Sequence, residues 1–110
     1  MTRLQHHPLY HPFADDSPGG AWLVATAAHA AQIGQQEAEG HDRTTLVELH
    51  AHLAVESLPA NAANRVAADL QVPLCRSAKL RGSEFAAQVA LHRVAFGLLD
   101  ALTRPNETTS

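Results

Sequence analysis

Residues 83–104, SEFAAQVALHRVAFGLLDALTR, hold one helical period without a break, and they constrain the fold more than any other stretch. Phe85, Val89, His92, Phe96 and Leu99 recur at alternating spacings of four and three, which is one stripe of an amphipathic helix. Leu91, Ala95, Leu98 and Leu102 widen that stripe. Ser83 stands where a cap belongs and Glu84 lies in the first turn, where the helix dipole favours negative charge. Arg104 falls in the last turn, and Pro105 ends the helix. One member of the apolar stripe is a histidine, His92.

The rest of the chain divides around similar signals. Residues 1–18 carry Pro8, Pro12 and Pro18, which interrupt any helix or central strand, so they read as an irregular arm. His6, His7 and His11 sit in it beside Tyr10 and Phe13. The arm reads as a docking segment for the two aromatics, or as a metal-loading tract. Ser17-Pro18 opens the first helix, an N-cap followed by proline at the first helical position, and Gly40 stops it. Its interior, AWLVATAAHAAQIG, is apolar nearly all round and predicts burial on several sides. Trp22, Thr26, His29 and Ile33 form one line down it.

A second helix starts within residues 42–45, where Thr45 and Glu48 fit a capping box. Leu46, Leu49 and Leu53 are its expected core stripe, with His50 flanking them, and Pro59 closes it. A third helix is expected over residues 60–71, anchored by Val66 and Leu70. The segment 74–82, LCRSAKLRG, reads as one or two helical turns, and residues 105–110 as a disordered polar tail. The expected fold is therefore all-α: a small, mostly antiparallel four-helix bundle over residues 19–104, with a fifth short helix near 74–81.

Charge and cysteine content bound the function. The net charge of −3 is uneven: residues 1–64 carry −5, residues 65–93 carry +3 and the remainder −1. A weakly acidic whole argues against gross nucleic-acid or membrane binding, while the basic segment leaves a local anionic contact open through Arg76, Lys79 and Arg81. Cys75 is the only cysteine, which fits a reducing, cytoplasmic setting. The run from Ala21 to Ala31 is too short to span a bilayer. With much of its apolar content in alanine, the chain buries little area per residue, so a homodimer is expected.

Three functional readings follow. The first is an interaction or regulatory protein, acting as a homo-oligomer through Ala-rich helix faces and the aromatic arm, with another protein or a small molecule as partner. The second is a metal, haem or small-ligand site in the bundle core, since imidazole is a common metal ligand and bundles build sites from inward-facing side chains. Its candidate ligands are His29, His50, His52, Glu56 and His92, its candidate lining residues Trp22, Phe85 and Phe96, and its candidate catalytic groups His92 and His29. His52-x-x-x-Glu56 resembles part of the hemerythrin ligand pattern, although no helix carries HxxxH and the ferritin-like ExxH is missing. The third is DNA binding: residues 65–82 resemble a helix-turn-helix, with Gln71 where the turn usually holds glycine and Ser77 where an apolar anchor usually stands. No Gly-rich phosphate loop or CxxC pair is present, which argues against a nucleotide-dependent enzyme.

Overall fold

The computed structural model describes residues 17–105. Ser17 opens the first helix as its composition dictates: the hydroxyl accepts the Gly20 N–H at 3.0 Å and Pro18 occupies the first turn. This helix, α1 (Pro18–Ala38), ends in a Schellman turn, with His41 N–H donating to Gln36 O and Gly40 N–H to Glu37 O. Gly40 takes φ +103° there, a conformation that suits glycine. Helices α2 (Arg43–Glu56), α3 (Ala63–Asp69), α4 (Arg76–Lys79) and α5 (Ser83–Thr103) follow, and the described residues contain no strand. The structure is thus an all-α bundle, as expected. The arm residues His6, His7, His11, Tyr10 and Phe13, and the tail beyond Pro105, lie outside the described residues.

Several local expectations are corrected. Asp42, not Thr45, caps α2: its carboxylate accepts both the Thr45 N–H and the Thr45 hydroxyl at 2.9 Å. The Thr45 amide holds the Asp42 carboxyl below its usual range, with the hydroxyl second. The third helix is shorter than 60–71. Asn61 (φ +66°) delays its start, and a second Schellman turn ends it, with Gln71 (φ +58°) in the position glycine usually fills. Ser83 is not the cap of α5; that place falls to Gly82. Glu84 reaches across to α3 and accepts the N–H groups of Ala63 (2.9 Å) and Asn64 (3.2 Å). Asp69, at the end of α3, does the same for α1 by accepting the Gly19 N–H at 2.7 Å. Carboxylates borrowed from neighbouring helices satisfy donors that would otherwise be orphaned.

The three long helices set the architecture. Trp22 donates its indole N–H to Ala54 O at 3.0 Å, so the start of α1 lies against the end of α2. Arg43 donates to the Asp100 carboxylate at 2.9 Å, so the start of α2 lies against the end of α5. Both neighbouring pairs are antiparallel. Helix α5 packs against all four others. A main core joins Trp22, Leu23, Ala51, Ala54, Val66, Leu91 and Leu98, and a second joins Ile33, Leu46, Val47 and Leu99, with Phe96 packed against both.

The buried faces are rotated from the expected ones. On α2 the core side is Leu46, Val47, His50, Ala51 and Ala54, whereas Leu49 and Leu53 are 48% and 40% exposed. On α5 the fully buried positions are Ala86, Ala87, Ala90, Leu91, Ala95, Leu98 and Leu99, while Phe85 is exposed and His92 and Phe96 are half-buried. Among the described residues, nine of the eighteen buried apolar residues are alanines, so small side chains make up half of the core positions. By length and composition α5 meets the criterion for crossing a membrane, with mean hydropathy 1.3. Its position against four helices is an alternative account of that apolarity.

Gly19 carries a sign test of this packing. A Cβ there would stand 2.5 Å from Asp69 Oδ2 and 2.7 Å from Leu70 Cδ2. Glycine to alanine in an open helical position stabilises by roughly 0.5–1 kcal/mol. Here Gly19→Ala displaces the Asp69 carboxylate from the α1 amide and is expected to destabilise by about 1 kcal/mol, read as a lower thermal midpoint by circular dichroism.

Candidate metal centre

Antiparallel packing of α2 on α5 brings three potential ligands together. Glu48 and His52 are one turn apart on α2, and His92 faces them from α5. Glu48 Oε2 stands 3.2 Å from His52 Nε2 and 3.2 Å from His92 Nε2. The two rings lie with centroids 4.3 Å apart, tilted by 44°. All three ligand atoms fall within 4.8 Å of one another. His92 Nε2 is buried, and despite its closeness to the carboxylate it makes no aligned hydrogen bond. Ligands of a tetrahedral zinc at roughly 2.0–2.1 Å stand about 3.3 Å from each other, so the two 3.2 Å edges from Glu48 match a shared ion. Two imidazoles and one carboxylate on one side of an ion are a donor set for zinc or ferrous iron with open positions. The histidines line one wall of a surface groove of about 340 Å³ shared with Val55, Glu56, Gln88 and Arg93.

The other two candidate histidines meet elsewhere. His29 Nδ1 and His50 Nδ1 are 2.8 Å apart, and His50 Nε2 is 2.9 Å from Gln36 Oε1. With the Gln36 oxygen accepting, His50 carries its proton on Nε2 and accepts at Nδ1 from the His29 N–H. Both nitrogens of His50 are thus engaged inside the protein. His50 is 3% exposed, and burial, followed by the neighbouring His29, lowers its pKa from the usual 6.5. His29 and His92, expected as possible partners across the core, belong to these two separate pairs.

The remaining expected site residues scatter. Glu56 lines the groove but is not one of the three clustered ligands. Trp22 borders a different cavity, between α1 and α3, Phe85 lies under the Arg81 guanidinium at 4.8 Å, and Phe96 is packed between the two cores. These aromatics do not line one shared pocket. Arg76, Lys79 and Arg81 are exposed, but α4 is a single turn, so the second helix of the helix-turn-helix reading is not a full element. Cys75 is exposed, and a hydrogen bond from the Ser77 hydroxyl at 3.1 Å is the main cause lowering its pKa.

The candidate ligand that sequence reasoning missed is Glu48. It stands four residues before His52, as Glu56 stands four after, and only the position of α5 separates the two. Comparisons of the chain with protein-family models, curated proteins and solved structures return no match.

The buried His50 predicts an acid sensitivity. Its folded pKa lies below its unfolded value, so the unfolded chain binds the extra proton first, and the stability it confers is present above pH 6.5 and lost as pH falls through the folded pKa. The thermal midpoint is expected to fall between pH 7.5 and 5. His50→Gln is expected to lower the midpoint at pH 7.5 and to flatten that slope. An unchanged slope in the variant would contradict the assignment.

Proposed function

We propose that this protein binds one divalent transition-metal ion through Glu48, His52 and His92. The observation that carries this reading is the carboxylate oxygen 3.2 Å from two imidazole nitrogens, one of them buried and without an aligned hydrogen-bond partner. A structural zinc site closes its coordination with four protein ligands, whereas three ligands leave exchangeable positions. In this reading the ion holds a water or a small ligand at an open position and polarises it, with the groove that His52 and His92 also line as the route of entry. The protein's part is to present three ligands from two helices whose spacing is set by alanine packing.

A second reading rests on Val24, Leu49 and Leu53, large apolar residues left 40–48% exposed on α1 and α2. They support self-association of the bundle, which sedimentation velocity at two concentrations tests directly.

For the metal, the arm histidines are first removed as competitors (His6→Ala, His7→Ala, His11→Ala). Zinc titration by calorimetry is then expected to give one site per chain. Replacing any one of Glu48, His52 or His92 by alanine should weaken it by tenfold or more, while His29→Ala leaves it unchanged. Excess zinc should also raise the thermal midpoint, since an ion at a hundred times its dissociation constant stabilises by about 2.7 kcal/mol. Binding that survives His92→Ala would remove the assignment.

A further inference from the structure

Resting on the metal reading, we infer that the groove beside Glu48, His52 and His92 is a binding site for a small carboxylate with a short apolar tail, held between the ion and Arg93. The groove gathers unlike groups. Its lining holds the two imidazoles His52 and His92, the apolar Val55 and Val89, and the polar Gln88 and Arg93. Arg93 also borders the neighbouring groove, where its charge acts on the Cys75 thiol, but it makes no hydrogen bond or ion pair among the described residues, so its donors are open to a carboxylate in forked geometry. Glu56 shares the groove without pairing with Arg93.

The charges decide which ligand enters and when. Without an ion, Glu48 and Glu56 outweigh Arg93, and the site repels an anion. With a divalent ion on Glu48 and two neutral imidazoles, the balance becomes one net positive charge. Anion binding is therefore metal-dependent. The valine surface selects among anions, because a hydrocarbon tail gains by leaving water there while inorganic anions do not. A volume of about 340 Å³ gives room for a small carboxylate and its tail.

Cobalt(II) is a visible-absorbing substitute for the ion. The arm-histidine triple variant is loaded with cobalt, and its spectrum is followed on adding butyrate, acetate or neutral imidazole. Butyrate is expected to perturb the cobalt bands and to bind severalfold more tightly than acetate. Arg93→Gln should weaken butyrate by about tenfold, leaving cobalt affinity and the imidazole response unchanged. Glu56→Gln, which removes the repelling charge, should tighten butyrate. Cobalt bands that do not respond to butyrate, or respond equally in Arg93→Gln, overturn the carboxylate site while the metal site stands. A chain that binds no cobalt overturns both.

Discussion

Alanine on the buried face of α5 is the constraint from which the rest of the structure follows. Ala86, Ala87, Ala90 and Ala95 are all but sealed from solvent on the helix that touches every other one. Short side chains at those positions let backbones approach closely, and close approach lets polar groups on the flanks of neighbouring helices meet directly. Larger residues there would overpack, at roughly 1–3 kcal/mol each, and would also separate the helices. A core this thin yields little area per residue, so polar contacts between helices carry more of the specification. Glu84 on the start of α3 and Asp69 on the start of α1 are two of them.

A third such contact sets the register of the ligand-bearing pair. Arg43 Nη1 donates to the Asp100 carboxylate at 2.9 Å and to the Thr103 hydroxyl at 3.3 Å, with both charged side chains about four-fifths buried. The Arg43 hydrogen bond is the main cause holding the Asp100 carboxyl below its usual range, and the exposed Arg104 also pairs with it. About four-fifths buried, this ion pair is screened less by solvent than an exposed one, whose worth is roughly 0–1 kcal/mol. It pins the first turn of α2 to the last turn of α5. Five residues onward along α2 and eight back along α5 stand Glu48 and His92. A slip of one helical turn between the two helices would break the ion pair and the ligand cluster together.

The ends of the long helices were legible because their chemistry is local. Ser17-Pro18, Gly40 and Pro105 each act within a turn of themselves, and each boundary falls within two residues of its signal. What failed was whatever required a neighbour. The α3 boundaries turned on positive φ at Asn61, which asparagine tolerates, and at Gln71, where glutamine gives no such signal. The α2 face was misread because leucines at 46, 49 and 53 outrank alanines in any hydropathy pattern. The seam had room for Ala51 and Ala54, and Leu49 and Leu53 were left outside. Glu48 read as a capping-box residue of Thr45, and its place beside His52 and His92 needed the position of α5. Packing of α1 on α2 joined His29 to His50, and packing of α5 on α2 joined His92 to His52.

Those two histidine pairs separate structural from ligand chemistry on one molecule. In His29–His50–Gln36, both His50 nitrogens have a partner in line, the ring is buried, and neutral imidazole is the form that packs. An ion there would have to displace hydrogen bonds already made, in a site with no carboxylate among its contacts. In Glu48–His52–His92, lone pairs of like sign of demand converge near the surface: a carboxylate with two acceptor oxygens faces imidazole nitrogens at 3.2 Å, and the buried one has no proton-sharing geometry with it. A proton placed between one nitrogen and the oxygen serves a single edge of that triangle. A divalent ion would serve all three at once, which is the physical reason the proposed metal falls on the open pair and a structural role on the closed one.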